Sequence, residues 1–198
     1  MKISCDEIDD ILFGIGVDSF NRFQIFLNIA PHLKGKKYWH ALRNSYDASD
    51  NLFPYARLVR ASYLRAEPGR QFLMDSGERN YLKRLPEQIT IYRGMTELEL
   101  EQKSFGVSWS LKKEVAEFFA NTYQRNHATN HLKKTVHEIT INKNEVVAFL
   151  NGREEFEIIY INAPVQADYD KMKFFTPRTI SGTETFAQAL NGITCADN

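Results

Sequence analysis

The chain has 198 residues, enough for one domain with a modest extension, and its 43% hydrophobic and 25% charged content is that of a globular protein with a core. Lys plus Arg and Asp plus Glu number 25 each, so no net charge draws the whole chain toward nucleic acid or an anionic membrane. The two cysteines, Cys5 and Cys195, have no ligand-like spacing, the opening Met-Lys-Ile-Ser-Cys-Asp-Glu is unlike a secretory signal, and no apolar run is long enough to span a bilayer. A cytoplasmic protein with no metal and no membrane partner is therefore expected.

In chain order, the first 85 residues read as helical. Phe20, Phe23, Phe26, Leu27 and Ala30 recur every three to four residues up to Pro31. Tyr55 to Leu64 follows the same pattern, and Pro68-Gly69 breaks it. A further helix is expected over about Arg70 to Leu85, stopped by Pro86. The Gly14-Ile15-Gly16 pair follows no strand and is no dinucleotide fingerprint. After Pro86 the period changes. Ile89 to Tyr92 reads as a strand, Glu97 to Gln102 as a short helix, Phe105 to Ser110 as a strand and Lys113 to Tyr123 as a helix. Strands follow at Lys134 to Ile141, Val146 to Leu150 and Glu155 to Ile161. A last strand over Met172 to Phe175 and a helix over Thr183 to Leu190 close the chain. Closely spaced strands favour an α+β fold: a helical region, 1–85, packed on a mixed, mostly antiparallel, sandwich-like core, 86–198, the two making one compact unit.

Three short pieces on or beside these strands carry possible chemistry: Tyr92-Arg93-Gly94, Ser108-Trp109-Ser110 and Glu155-Phe156-Glu157. On a strand, side chains two apart share a face, so Ser108 and Ser110 point one way and Trp109 the other. Glu155 and Glu157 likewise point together. Glu157 stands where the chain turns apolar, and a carboxylate there must be paired or functional. Taken singly, each piece also reads as ordinary surface: a salt-bridged arginine, a polar strand, a solvated edge.

Their order resembles that of the mono-ADP-ribosyltransferases of the arginine–serine–glutamate group, the fold of the cholera-like and clostridial C2-like toxins. The matching pieces are Ile91-Tyr92-Arg93-Gly94, Phe105-Gly106-Val107-Ser108-Trp109-Ser110, Ala116-Glu117-Phe118-Phe119-Ala120 and Arg153-Glu154-Glu155-Phe156-Glu157-Ile158-Ile159. They cover roughly residues 86 to 165. The chain departs from the family at Trp109, where a Thr is usual. The resemblance implies NAD as substrate and four catalytic residues, Arg93, Ser108, Glu155 and Glu157. Glu157 would stabilise the positive charge that develops on the ribose as nicotinamide leaves. Ser108 would hold Glu157, and Arg93 would grip the NAD phosphates through its planar fork. Tyr92, Gly94, Ser108 and Ser110 would complete the NAD site, with Gly94 admitting the nicotinamide to the main chain. A loop from Phe149 to Arg153, with Glu155, would recognise the acceptor. A Glu at that place goes with arginine acceptors in the family, so the expected partner is a protein arginine.

Two alternatives stand beside this. Lys34-Gly35-Lys36-Lys37-Tyr38-Trp39-His40, and the acid-free stretch with Arg125, His127, His131, Lys133, Lys134 and His137, are basic and aromatic enough to suggest RNA or DNA as acceptor. Relatives that modify nucleic acid include toxins of phage-defence toxin–antitoxin systems, where an antitoxin or inhibitor protein would be a partner. The other alternative is an interaction module on a dead transferase fold.

Overall fold

The computed structural model describes residues 3–50, 52–123 and 131–161, so the strand expected at 172–175 and the helix at 183–190 lie outside the described residues. The helical half comprises α1 (Cys5–Phe13), α2 (Arg22–Ile29), α3 (Lys36–Asp47), α4 (Ala56–Leu64) and α5 (Ser76–Arg84). A capping box starts α1, with the Glu7 backbone N–H donating to Ser4 Oγ at 3.1 Å and the Ser4 N–H to Glu7 at 2.6 Å. The single helix expected over 70–85 is instead a short 3₁₀ turn, Arg70–Leu73, followed by α5. The cause is Asp75, whose carboxylate accepts from the Glu78 N–H at 2.8 Å and starts a fresh helix there.

The second half holds β1 (Gln88–Thr96), α6 (Glu97–Glu101), β2 (Ser108–Ser110), α7 (Lys113–Asn121), β3 (Lys134–Asn142), β4 (Val146–Leu150) and β5 (Glu157–Tyr160). Among the described residues these strands form one five-stranded sheet in the order β3-β1-β2-β5-β4, and every pairing is antiparallel. The fold is α+β. The sheet expected to be mixed and mostly antiparallel is wholly antiparallel among the described residues.

Register sorts the side chains. Tyr92 pairs with Ser110, Ser110 with Glu157, and Glu157 with Leu150, so these four share a face. On that face Val107, Ala148, Leu150, Ile159 and Ile161 join the buried residues of α1 to α4 in one cluster that includes Phe26, Trp39, Leu42 and Tyr63. The other face carries Ile91, Trp109, Phe149, Ile158 and Tyr160 in a second cluster. Trp109 therefore lies opposite the serines, as alternation requires. The sheet is sandwiched between two cores, and a carboxylate at position 157 is driven into the first.

Candidate active site

Glu157, at the first position of β5, is 4% exposed. Tyr46, from the last turn of α3, donates its hydroxyl to Glu157 Oε1 at 2.8 Å. Arg153 Nη2 stands 3.6 Å from Oε2. Burial raises the Glu157 carboxyl above its ordinary value, while Arg153 and hydrogen bonds from Ser108 and Tyr46 pull it back down. Burial beside that carboxylate also holds the Tyr46 phenol well above its usual value, so Tyr46 stays a proton donor.

Arg93 sits where β1 and β2 part company. The two strands share the pair Tyr92–Ser110 and no further register. Into the gap beyond it Arg93 sends its guanidinium, which donates from Nη1 to the Ser108 carbonyl at 2.7 Å and from Nε to Glu99 Oε1 at 2.7 Å. Burial works against its charge, and Glu99 more than restores it, so the guanidinium is held firmly cationic. The same Glu99 oxygen accepts from the Gly106 N–H at 2.9 Å. A Cβ at Gly106 would lie 2.8 Å from Arg93 Cζ and closer still to Nη2, so a larger residue there would displace the guanidinium from this arrangement. Part of the fork is thus committed to the chain itself, leaving Nη2 as the nitrogen with no hydrogen bond described.

Gly94 lines the cleft described below and also meets α7. A Cβ at 94 would lie 2.7 Å from Ala120 N and closer still to the Ala116 carbonyl oxygen. Its missing side chain admits the backbone of α7, whose small residues Ala116 and Ala120, one turn apart, face it. The sequence signal Gly94 … Ala116-x-x-x-Ala120 is a strand–helix contact, and α7 then walls the cleft described below.

Glu155 precedes β5 instead of lying on it, which corrects the reading of Glu155 and Glu157 as alternate positions of one strand. Glu154 and Phe156 adopt φ of 57° and 48°, a left-handed backbone that breaks strand alternation. Three anchors hold the loop. Asn151 Oδ1 accepts from the Phe156 N–H at 3.1 Å, Glu78 Oε1 accepts from the Asn151 N–H at 2.7 Å, and Arg43 clasps Glu78 through two nitrogens at 3.0 and 2.9 Å. Arg153 reaches across the loop, with Nη2 at 2.8 Å from Glu155 Oε2 and Nη1 donating to the Asp47 carbonyl at 3.0 Å. The two carboxylates therefore face one another through a shared guanidinium, by loop geometry and not by strand period. Burial raises the Glu155 carboxyl, and Arg153 opposes the shift.

Arg93, Ser108, Glu155, Glu157, Tyr92, Gly94, Ser110 and Arg153 all line one cleft of about 530 Å³, a size in the usual range for a small-molecule site. Ser110 contributes mainly structure. Its hydroxyl donates to the Glu155 carbonyl at 2.7 Å and accepts from the Lys112 N–H at 3.0 Å, so it braces the loop from the cleft wall. Phe149 is absent from the cleft. It is buried in β4 and stacks on Tyr81 at 4.5 Å, a core-packing position. The basic-aromatic run at 34–40 also changes meaning, since Tyr38 and Trp39 are buried in α3 and offer no ring for a base to stack on. Of the later basic stretch, Arg125 and His127 lie outside the described residues, while Lys133 pairs with Glu97 at 2.6 Å and His137 stacks on Phe105 at 5.5 Å.

Among the residues that the helical half contributes to this cleft, two carry chemistry that was not singled out from sequence. Tyr46 is one. Arg60, on α4, is the other: it lines the cleft, and its Nη1 is buried with no hydrogen-bond partner among the described residues. The spacing of Tyr38, Leu42 and Tyr46, four apart, was the signal that could have shown an amphipathic α3. Among the described residues no group of His, Cys, Asp or Glu is placed to hold a metal, and no helix is long and apolar enough to cross a membrane. No family model, no curated protein and no solved structure matches the chain.

Proposed function

We propose that the chain is an NAD-dependent mono-ADP-ribosyltransferase that passes ADP-ribose to a protein arginine and releases nicotinamide. One observation carries this reading: arginine, serine and glutamate, drawn from three separated motifs, meet in one cleft with the glutamate buried and hydrogen-bonded. The dimensions and donors of the cleft fit a dinucleotide. Arg93 and Arg60, both on the cleft wall, are cations suited to a diphosphate. NAD brings a labile bond between ribose and nicotinamide, and the residues supply the rest. Glu157 presents its carboxylate to the ribose, where positive charge grows as the bond lengthens. Ser108 and Tyr46 fix that carboxylate and favour its charged form. Glu155 accepts the proton that an attacking guanidinium must shed.

Purified protein should release nicotinamide from NAD. Glu157→Gln keeps the shape and removes the charge. It should lower that release by about a hundredfold to a thousandfold, the usual effect of deleting one electrostatic group at a reacting centre. Turnover near the wild-type rate in the Gln variant, or no release by the wild-type protein, overturns the proposal.

A further inference from the structure

We infer that Arg153 is a self-modification site, taking ADP-ribose from NAD bound in the cleft of its own chain. The inference rests on the transferase reading. Its observation is a guanidinium already standing where an arginine acceptor would have to stand. Arg153 Nη2 is 2.8 Å from Glu155 Oε2 and 3.6 Å from Glu157 Oε2, and the side chain lines the cleft while remaining 44% exposed. A nitrogen held between the two carboxylates would face the ribose carbon once NAD fills the cleft with its ribose against Glu157. The Asp47 carbonyl holds the opposite end of the fork, at Nη1, at 3.0 Å. The loop carrying Arg153 is pinned through Asn151 to the Arg43–Glu78 pair, so the guanidinium is presented by an anchored loop and not a free one.

The step balances without a further reactant. The bond from ribose C1 to the nicotinamide nitrogen breaks, and its electron pair leaves with neutral nicotinamide. An Nη nitrogen of Arg153 forms the new bond to that carbon. The proton it sheds passes to Glu155, the nearest carboxylate, and from there to water. The product keeps one positive charge on the substituted guanidinium. It also leaves a bulky group on the cleft wall, so self-modified protein should turn over NAD more slowly.

The test uses the full chain with NAD, following nicotinamide release and intact mass together, with peptide mapping of the product. The expected result is a gain of one ADP-ribose located on Arg153. The labelled fraction at a given time should not depend on protein concentration, and Glu157→Gln protein mixed with wild type should stay unlabelled. Arg153→Lys should lose the label, and mapping of the wild-type protein locates the site even if that variant folds poorly. Nicotinamide release with no gain in mass, or with the mass on another residue, overturns self-modification and leaves the transferase reading standing. Label on the Glu157→Gln protein in the mixture overturns transfer within one chain. Absence of both release and label overturns the two together.

Discussion

At the scale of single residues, the opposition at Glu157 sets a pH dependence. Burial raises its carboxyl above the ordinary 4.5, and the Tyr46 hydrogen bond acts the other way by favouring the charged form. If the ionised carboxylate is the working form, activity falls as pH drops through that raised value, so the acid limb should lie above the ordinary carboxylate range. Tyr46→Phe removes the donor at Oε1 and makes ionisation harder still. The limb should move to higher pH by the worth of a hydrogen bond to a charged group, about 1.5–3 kcal/mol or roughly one to two pH units, and nicotinamide release should fall most on the acid side of the moved limb. A pH–rate profile checks this; a limb unmoved in the Phe variant would leave Tyr46 a packing residue only. Stability follows the opposite sense. A group whose pKa is raised in the folded state adds stability that is fully present below its unfolded value and is lost as pH climbs through the folded one. Ionised Glu157 therefore costs stability at neutral pH. The Glu157→Gln protein should melt at or above the wild-type temperature at pH 7, with the gap closing as pH falls toward 4.5. A lower melting temperature at pH 7 contradicts this account of the buried carboxylate.

At the scale of elements, the strand–helix contact at Gly94 is the most sensitive joint near the site. Adding a Cβ there drives it into the backbone of α7 at Ala116 and Ala120, and backbone cannot rotate aside as a side chain can. Gly94→Ala should destabilise the fold by about 1–3 kcal/mol, the usual cost of overpacking. Because Val115, Ala116 and Phe119 wall the cleft, NAD affinity should fall with it. Calorimetry and a thermal melt test the two effects, and unchanged values in both would mean that α7 gives way freely. Elements whose period is uninterrupted were legible in the sequence: β1, β3 and β4 alternate or run apolar, and α7 carries Val115, Phe118 and Phe119 at helical spacing. The boundaries missed are those set by backbone conformation or by distant partners. β5 begins at Glu157 because Phe156 has a positive φ, which composition does not display. β2 is only three residues long because β1 turns away after one pair and Arg93 takes the Ser108 carbonyl. The helix expected from 70 divides at Asp75 because a side-chain cap outcompetes the continuing apolar pattern.

At the scale of the molecule, the motifs between Tyr92 and Glu157 were readable because each is contiguous and sits on or beside a strand. The supports from the helical half were not, because they act across the chain: Tyr46 and its partner Glu157 are 111 residues apart. Residues 1–85 were expected to be packed on residues 86–198, and the contacts give that packing a specific content. Val107, Ala148, Leu150, Ile159 and Ile161 of the sheet bury themselves against α1 to α4, and Glu78 of α5 holds the loop that carries Arg153 and Glu155. Removing the helical half would expose those five apolar side chains and leave Glu157 beside exposed apolar surface without its tyrosine. It would also free the 151–156 loop. Leucine- and isoleucine-sized side chains are each worth roughly 1.5–3 kcal/mol when fully buried, so losing several such contacts exceeds a large part of the stability margin of a domain this small. A fragment of residues 86–198 expressed alone should therefore show no cooperative thermal transition and no release of nicotinamide. Circular dichroism on heating, with the full chain alongside, measures the first. A cooperative melt of the fragment near the full-chain temperature would make the helical half a separate appendage, and the placement of Tyr46 against Glu157 would then be incidental to the fold.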